Sequence, residues 1–436
     1  MGRTGRPEPV RPIILNAMNL GSYLDGIGSY TFNLLRELAA VADGPPIVVY
    51  LNRTAALHVA RLRIPEKWDI VWMSGLVSPD NGFRGHLLRL LVSNFIGMLH
   101  PRSLVVTTSQ LEALFFHTRQ VVTIHDVIPL LFRTWHRKQY FYFRHLLPFA
   151  LRRAQAVVTP SRHTKGLIEQ VYRIPHEKIR VIYNGVHLAG VTEPGGTVPV
   201  QPFILYAGRL VRMKNIDGVL RAFSLVQQII PHTLVIVGHG REGMSRMFTS
   251  AKLEEYGIAR DRVVLLGHVS FEEIAALLRR ADALVFPSFY EGFGLPPLEA
   301  MKAGCPVVVS QVGSLPEVCG DAALYVDPYD TEGIAQGIFA VLSNERLRRQ
   351  LIQRGLERAA SFTWKRATRS LLEVIAEVQG AGDLDEAGGA LLAGVSGHIN
   401  NDFVYTASVV AMSQQVDFHR PVTHLESGPR QFLGSR

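Results

Sequence analysis

The sequence predicts an α/β protein of two domains, each built on a parallel sheet covered by helices. Short apolar runs alternate with segments of helical spacing along most of the chain, which is the pattern of parallel sheets. The length of 436 residues exceeds what one ordinary core accommodates. A stretch rich in Gly and Pro, residues 191–202, separates two alternating series and is the predicted linker.

Each domain is defined by its run of predicted strands. Residues 1–190 form the first domain, with the strands RPIILNAM, PPIVVYLN, DIVWM, SLVVTTS, QVVTIHD, AQAVVTPS and KIRVIYNGV. Residues 203–362 form the second, with the strands FILYAG, TLVIVG, RVVLLGH, ADALVFPS, PVVVS and AALYVD. A closing helix over 363–379 is expected to pack back on the first domain, whereas residues 380–436 lack a clear period and stay unassigned. Ligands of such sheets bind outside the carboxyl ends of the strands, in the cleft between the domains.

Composition excludes several classes of protein. The chain has 47% hydrophobic and 19% charged residues, as globular proteins do, and no uninterrupted apolar run of transmembrane length. Its start, MGRTGRPEPVRP, lacks the apolar run of a secretory signal and the Ser or Thr of the myristoylation pattern. Cys305 and Cys319 are the only cysteines, and we expect them to be buried thiols in a reducing cytoplasm.

Positive charge is concentrated in the first half of the chain. Residues 1–200 carry 23 Lys and Arg against 12 Asp and Glu, whereas residues 201–436 carry 23 against 25. Residues 82–153 alone contain 10 basic and 2 acidic residues, mixed with Leu, Phe and Tyr. These segments either lie on an anionic membrane surface or pack within the domain with solvated basic faces, and the sequence leaves both open. Nucleic acid is disfavoured because no recognisable binding module accompanies the charge.

Two loops after strands of the second domain suggest phosphate binding. In FILYAGRLVRMKN, Arg209 and Lys214 precede a helix, where they either cradle a diphosphate or are simply solvated cations. TLVIVGHGREG contains a literal G-x-G-x-x-G, but no acid ends the following strand to hold a ribose. A nicotinamide site is therefore rejected.

The stretch EGFGLPPLEAM, residues 291–301, places two carboxylates around a predicted helix start. Its glycines allow close backbone approach to a ligand, and its prolines suit the first helical turn, which we expect to include Glu299. Paired carboxylates beside exposed loop amides fit a polyhydroxylated ligand that bears phosphate. The alternative is helix capping by Glu299 and a solvated Glu291, which leaves the glycines and prolines unexplained.

This stretch resembles the Glu-x7-Glu signature of the retaining glycosyltransferases of family 4, the "group 1" family with the GT-B fold. The segments DGIGSYTFNLLREL, TIHDVIPL, VIYNGV, AGRLVRMKN, VGHGREG, LLGHVSFEEIAALLRRADALVFPS and GSLPEVCGDAALYVDP also resemble the family, in the right order. The resemblance covers residues 13–375 and is strongest to mannosyl- and rhamnosyltransferases of surface-polysaccharide assembly. It implies a GT-B fold, in which two Rossmann-like domains with parallel sheets face each other across a cleft.

The resemblance implies a site for a nucleotide-diphosphate sugar, with GDP-mannose as the leading donor. Arg209 and Lys214 would bind the diphosphate, Glu299 the ribose hydroxyls, and Glu291 the hydroxyls of the transferred sugar. Ser29 stands where the family often has Arg or Lys, so one phosphate contact is in doubt. Backbone contacts to sugar, phosphates and base are implied at Gly26, Val269, Phe293, Gly294 and Leu295.

His125 and Asp126 follow a strand of the first domain and are the implied contacts from the other side of the cleft. By resemblance His125 interacts with the sugar near the reacting centre, and Asp126 orients His125 or the acceptor. A purely structural histidine is the alternative. The predicted catalytic residues are therefore His125, Asp126 and Glu291.

The resemblance also implies retention of the anomeric configuration. No carboxylate is clearly placed as a covalent nucleophile, so we expect same-face attack by the acceptor hydroxyl. Cations and a helix N-terminus would stabilise the leaving group. Residues 383–385 match the D-x-D metal motif of GT-A enzymes but lie in a Gly- and Ala-rich tail away from any strand end. We read that match as chance, and predict metal-independent catalysis with no cofactor besides the donor.

The predicted function is transfer of a hexose, mannose favoured, to a hydroxyl of a saccharide or polyprenyl-linked glycolipid. A cytoplasmic location is expected, with peripheral attachment to the inner face of the membrane in the glycolipid case. Two rival functions stay open: a GT-B synthase with a small soluble sugar or sugar-phosphate acceptor, and a catalytically idle GT-B binding scaffold.

Overall fold

The structure contains two parallel sheets that follow the predicted alternation of strands and helices. It is a computed structural model and describes residues 12–188, 202–238 and 250–380. The strands of the first sheet are β1 (Ile13–Asn16), β2 (Ile47–Asn52), β3 (Trp68–Met73), β4 (Val105–Thr107), β5 (Gln120–Thr123), β6 (Ala156–Thr159) and β7 (Ile179–Val181). The strands of the second are β8 (Phe203–Ala207), β9 (Thr233–Val237), β10 (Val263–Gly267), β11 (Ala283–Phe286), β12 (Val307–Ser310) and β13 (Leu324–Val326). All thirteen predicted strands are thus present, and the α/β class is confirmed.

Both sheets have the strand order of a doubly wound fold. The first runs β3-β2-β1-β4-β5-β6-β7 and the second β10-β9-β8-β11-β12-β13, and every pairing is parallel. In each sheet the order reverses beside the first strand, so a crevice opens there at the carboxyl ends. The described residues fall in one structural unit that contains both sheets.

Helices connect the strands and cover the sheets. Those of the first domain are α1 (Gly26–Ala39), α2 (Ala56–Val59), α3 (Gly82–Leu99), α4 (Ile128–Leu131), α5 (Arg137–Phe141), α6 (Leu147–Arg153) and α7 (Arg162–Tyr172), with a π-helical turn at Tyr142–Leu146. The second domain contains α8 (Ile216–Val226), α9 (Ser250–Glu255), α10 (Phe271–Arg280), α11 (Leu295–Lys302), α12 (Leu315–Cys319), α13 (Thr331–Ser343), α14 (Glu345–Ala360) and α15 (Trp364–Val378). Within the described ranges, no helix is both long and apolar enough to cross a bilayer.

Helix α15 returns the chain to the first domain. Trp364, Leu371 and Ile375 on its inner face share one apolar core with strands β1 and β2 and with α1. Thr363 caps the helix by accepting a hydrogen bond from the amide of Arg366, which is why a helix begins here after the break at residues 361–363. The predicted linker, apart from residue 202, and residues 381–436 of the predicted appendix lie outside the described residues.

Candidate active site

Loops from the two sheets meet at the carboxyl ends of the strands. Gly292 follows β11, and a Cβ added to it would lie 2.3 Å from the carbonyl oxygen of His125, which follows β5. The hydroxyl of Ser161, directly before α7, lies 2.9 Å from the carbonyl oxygen of Gly292 and donates to it. Since only glycine fits this crossing, it brings predicted site residues of both domains together.

The loop that contains Glu291 is supported by the loop that follows strand β12. The carbonyl oxygen of Glu291 accepts hydrogen bonds from the amide and the hydroxyl of Ser314, at 3.2 and 3.0 Å. Gly313 adopts φ +61°, and a Cβ there would lie 2.5 Å from the same oxygen. Our sequence analysis gave neither supporting residue a role, although a Gly-Ser pair two residues beyond the predicted strand PVVVS was a usable signal.

Helix α11 begins one residue earlier than the prolines suggest. Its N-cap is Gly294, whose φ of +112° lies in the left-handed region that favours glycine. Because this turn lets the helix start at Leu295, Glu299 is its fifth residue and belongs to the second turn. The expectation that Glu299 lies in the first turn was therefore wrong.

Glu299 points into an open cavity between the domains. Burial raises the pKa of its carboxyl group to about 7, because a charged carboxylate is poorly solvated there. The cavity has a volume of about 60 Å³ and is open to solvent. It is lined by Ser29, Phe32, Asn33, Arg36, Gly185, His187, Leu188, Phe271, Ile274, Leu295, Glu299 and Trp364.

Lys214 and Glu291 form an ion pair at the centre of the site. The Lys214 ammonium lies 2.5 Å from Oε1 of Glu291, and the Glu291 side chain is 9% exposed. The ammonium also lies 5.2 Å from the centroid of the Phe286 ring, at the end of β11. The structure thus joins two residues that are 77 positions apart in sequence, and both had been assigned to the donor.

Arg209 lies in the loop after β8 with an exposed side chain. Its carbonyl oxygen accepts a hydrogen bond from the amide of Val211 at 2.8 Å, which forms a tight turn. Burial lowers the pKa of His136 in the first domain, and the charge of Arg209 lowers it further. Arg209 is therefore within electrostatic range of the opposite wall of the cleft.

His125 is a buried and neutral imidazole. Burial lowers its pKa to about 4, although a hydrogen bond to the Thr108 carbonyl and the charge of Asp25 both raise it. The Nε2–H group donates to that carbonyl at 2.8 Å, so Nδ1 is left as an acceptor. The ring of Tyr30 packs edge-on against the imidazole, with the ring centroids 4.7 Å apart. The ring orientation is fixed from two sides.

Asp126 adjoins the Lys214–Glu291 pair. Burial raises the pKa of Asp126 to about 6 and the charge of Glu291 adds to this, while Lys214 and the amide of Ile128 lower it. That amide donates to Oδ1 of Asp126 at 3.0 Å. Asp126, Glu291 and Lys214 are therefore one electrostatically coupled group across the cleft.

The remaining predicted contacts are backbone positions. Gly26 is the first residue of α1, where the Asp25 side chain caps the helix by accepting from the amide of Gly28 at 2.9 Å. Val269 lies between β10 and α10 and is partly buried against the core of the second domain. The Phe293 side chain is 6% exposed and packs on Phe362. Only its backbone is therefore presented to the site.

Among the described residues, no group of three or more His, Cys, Asp or Glu side chains is arranged to hold a metal ion. The D-x-D match at residues 383–385 lies outside the described residues.

Comparison with known proteins identifies relatives over most of the chain. Residues 24–189 match the family model "Glycosyltransferase Family 4", and residues 193–358 match "Glycosyl transferases group 1". The O-antigen chain mannosyltransferase RfbU of Salmonella typhimurium is 30% identical over 322 residues, which cover 73% of this chain and 87% of the relative. The O-antigen chain mannosyltransferase B of Escherichia coli is 29% identical over 372 residues, which cover 79% and 94%.

Solved structures share the fold at lower identity. Sucrose-phosphate synthase from Thermosynechococcus elongatus superposes with a TM-score of 0.70 at 21% identity, covering 85% of this chain and all of that one. The Anabaena protein HepE in complex with UDP-glucose gives a TM-score of 0.67 at 18% identity, covering 84% and 99%. With the predicted motifs in place on two facing parallel sheets, the chain belongs to the group 1 glycosyltransferases and has the GT-B fold.

Proposed function

We propose that this glycosyltransferase moves a hexose, with mannose favoured, from a nucleotide-diphosphate sugar to a hydroxyl of a saccharide or glycolipid acceptor, with retention. The observation that carries the proposal is the pairing of Lys214 with Glu291 beside the cavity that Glu299 faces. Lys214 would supply a cation for the diphosphate. The carboxylates of Glu291 and Glu299 would accept hydrogen bonds from the hydroxyls of the two groups that flank the diphosphate in a nucleotide sugar, the transferred sugar and the ribose.

In this proposal the donor replaces the direct contact between Lys214 and Glu291. The diphosphate binds Lys214 and Arg209, and the freed Glu291 carboxylate accepts hydrogen bonds from the transferred sugar. The ribose occupies the cavity at Glu299. Backbone amides at Phe293, Gly294 and Leu295 reach the sugar and phosphate, while Val269 and Gly26 supply backbone contacts to the base and phosphates.

The chemical step follows from the charges on the two walls. The bond from the sugar C1 to the diphosphate oxygen breaks, and the bond from the acceptor oxygen to C1 forms on the same face. The acceptor proton passes to the departing phosphate oxygen. Lys214 and Arg209 stabilise the charge that develops on the diphosphate. His125 accepts a hydrogen bond at Nδ1 near the reacting centre, and Asp126 orients the acceptor.

We infer metal independence from the same cations, since they perform the task that a divalent ion performs in other sugar transferases. Turnover in EDTA is therefore expected to equal turnover without it. A strict requirement for Mn²⁺ would overturn this part of the proposal and direct attention to residues 383–385.

GDP-mannose is the favoured donor because relatives that match most of this chain carry mannosyltransferase names. Their names also mention O-antigen chains, which supports a growing saccharide as acceptor, reached from the cytoplasm. The small-acceptor synthase is the second candidate, since a sucrose-phosphate synthase shares the fold. An idle scaffold is disfavoured because His125, Arg209, Lys214, Glu291 and Glu299 are all intact.

Calorimetric titration tests the donor site. We expect one of GDP-mannose, UDP-glucose, UDP-N-acetylglucosamine and dTDP-rhamnose to bind, and Glu299→Ala to lose about 1.5–3 kcal/mol of binding free energy, the range for hydrogen bonds to a charged group. Glu332→Ala, an exposed helix-start carboxylate elsewhere in the second domain, is the matched control. Equal binding by Glu299→Ala would remove Glu299 from the ribose site.

Turnover tests the opposite wall of the cleft. His125→Ala is expected to spare donor binding and to reduce kcat by about 10²-fold or more, as for loss of a group that acts near the reacting centre. His163→Ala is the control, because His163 is a partly buried histidine that packs on Tyr290 and has no proposed catalytic role. An unchanged kcat for His125→Ala would show that the cleft is wrongly assigned.

A further inference from the structure

Helix α3 turns its apolar side chains away from the protein. At 100° per residue its exposed apolar side chains fall within one sector of about 160°. They are Phe83, Leu87, Leu88, Leu91, Phe95, Met98 and Leu99, with exposures of 50, 49, 39, 61, 57, 69 and 55%. The opposite face, which packs on the first sheet, contains Gly85, His86, Arg89, Leu90, Ser93, Ile96 and Gly97. Soluble monomers rarely expose so continuous an apolar surface.

Buried polar contacts fix this orientation. Arg89 and Glu112 form an ion pair of 3.4 Å with side chains that are 3% and 0% exposed. The Arg89 guanidinium also donates to the carbonyl oxygen of Val77 at 2.7 Å, and Asn16 donates to the Ser93 hydroxyl at 2.8 Å. Burial raises the pKa of Glu112 to about 8 although the charge of Arg89 lowers it. Turning the leucines inward would leave this buried carboxyl group without its partner, which is unfavourable. The outward apolar face is thus a property of the folded domain.

Exposed cations occur on this face and in the chain segment that contains it: Arg84 lies within the apolar sector of α3 itself. The Lys138 ammonium lies over the Phe83 ring, 5.3 Å from its centroid, so the α5 segment adjoins α3. Of the two acids in residues 82–153, Glu112 is buried and Asp126 is turned into the cleft. The exposed cations of the region are Arg84, Arg102, Arg133, Arg137, Lys138, Arg144, Arg152 and Arg153. Every exposed Asp, Glu, Lys or Arg in this stretch is therefore positive.

We propose that the outer face of α3 enters the headgroup–acyl boundary of an anionic bilayer. Apolar side chains would be buried there while Arg84, Lys138 and the other exposed cations of this segment meet anionic headgroups. A second copy of this chain fits the face less well, because a twofold contact would bring the two sets of cations together. Membrane binding itself does not depend on the proposed function. Only its role rests on that function: to hold the cleft beside a lipid-linked acceptor.

Vesicle flotation of the full chain, without donor or acceptor, tests the surface. The protein is expected to float with vesicles of phosphatidylglycerol and phosphatidylcholine, and less with phosphatidylcholine alone. The double variant Leu91→Gln/Met98→Gln is expected to lower the partition coefficient about tenfold, since two large apolar side chains no longer favour the interface. The matched control is Leu225→Gln/Ile229→Gln, two side chains of the second domain that are 53 and 63% exposed.

A site-specific probe measures insertion directly. Cys305 and Cys319 are buried, so a cysteine introduced by Leu91→Cys can be labelled selectively with a polarity-sensitive fluorophore. Its emission is expected to shift to the blue on addition of the anionic vesicles, whereas the same label at Leu225→Cys should not respond.

Three results would overturn the proposal. The first is the absence of vesicle binding by the wild type, and the second is equal binding by the α3 double variant. The third is a wild-type dimer that the double variant dissociates without any vesicle binding, which would assign the face to a second copy. Nucleotide titration of the same variants is independent of α3, so failure here and failure of the donor site are distinguishable.

Discussion

At the scale of single residues, the site gives two glutamates of one loop-and-helix segment different surroundings. Glu291 is buried but meets the Lys214 ammonium, which compensates its charge. Burial raises the pKa of Glu299 to about 7, because its charge is poorly solvated there. A ligand with a vicinal diol at Glu299 would supply the donors that a carboxylate accepts.

The pH dependence of donor affinity follows from this difference. The pKa of Glu299 is raised, so its carboxylate is present above about pH 7 and is lost as the pH falls through that value. Nucleotide affinity is therefore expected to decrease from about pH 8 to about pH 6, because the protonated acid accepts fewer hydrogen bonds. Titration calorimetry of wild type and Glu299→Gln in this range measures it.

Glu299→Gln has the same shape but no titrating proton, so its affinity should be lower and nearly constant with pH. If the variant kept the wild-type pH profile, another group, such as the donor phosphates, would be responsible.

At the scale of elements, the start of α7 in the first domain is held by a carboxylate of the second. Glu317, in α12, accepts hydrogen bonds from the amides of Arg162 and His163 at 2.7 and 3.0 Å and from the Tyr183 hydroxyl at 2.8 Å. A carboxylate is favourable at a helix N-terminus, where amides lack partners within the helix. Together with the hydrogen bond between Ser161 and Gly292, these contacts join the two domains.

Removal of the Glu317 carboxylate is expected to weaken the interface between the two domains. Glu317→Ala should lower the free energy of unfolding by about 1–3 kcal/mol, because its partly buried partners lose their acceptor. Denaturant unfolding measures the loss, and hydrogen exchange at residues 162–163 should increase. Glu332→Ala, which removes an acid from the first turn of α13 within one domain, should lose less. Equal effects of the two variants would show that Glu317 acts only as a local helix cap.

At the scale of the whole molecule, the two chain segments that join the domains cross each other. A Cβ added to Gly185 would lie 2.1 Å from the amide nitrogen of Trp364, and the amide of Val186 donates to the Phe362 carbonyl at 3.0 Å. Trp364 in turn packs on Tyr30, whose ring packs on His125. The crossing is therefore connected by packed aromatic rings to the candidate site.

Gly185→Ala is expected to force these backbones apart. The methyl group has no space against the backbone of Thr363–Trp364, so we expect a loss of about 1–3 kcal/mol of unfolding free energy, the usual range for overpacking. Urea unfolding measures the loss. Gly166→Ala is the control, because a Cβ there meets nothing within 4 Å. A stability equal to the control would mean that the crossing relaxes without cost.

The strands and the loops that follow them were predictable because their signals are local. Short apolar runs between segments of helical spacing consist of consecutive residues, and they predicted all thirteen strands. Residue types at the strand ends then indicated the candidate donor-binding residues. The position of Glu299 within its helix was missed, because the helix start depends on the backbone angle of Gly294, which the prolines alone do not reveal.

The sequence by itself therefore determined the fold class, the family and the residues to examine. Only the tertiary structure decided which of them meet, as with Lys214 and Glu291, and which way the basic and apolar segment at α3 faces. The reason is that both faces of α3 contain apolar residues, such as exposed Leu91 and buried Ile96, so helical spacing alone does not reveal which face is outward. Its orientation depends on Glu112 and Asn16, which lie far from Arg89 and Ser93 in sequence and become their partners only when the sheet has formed.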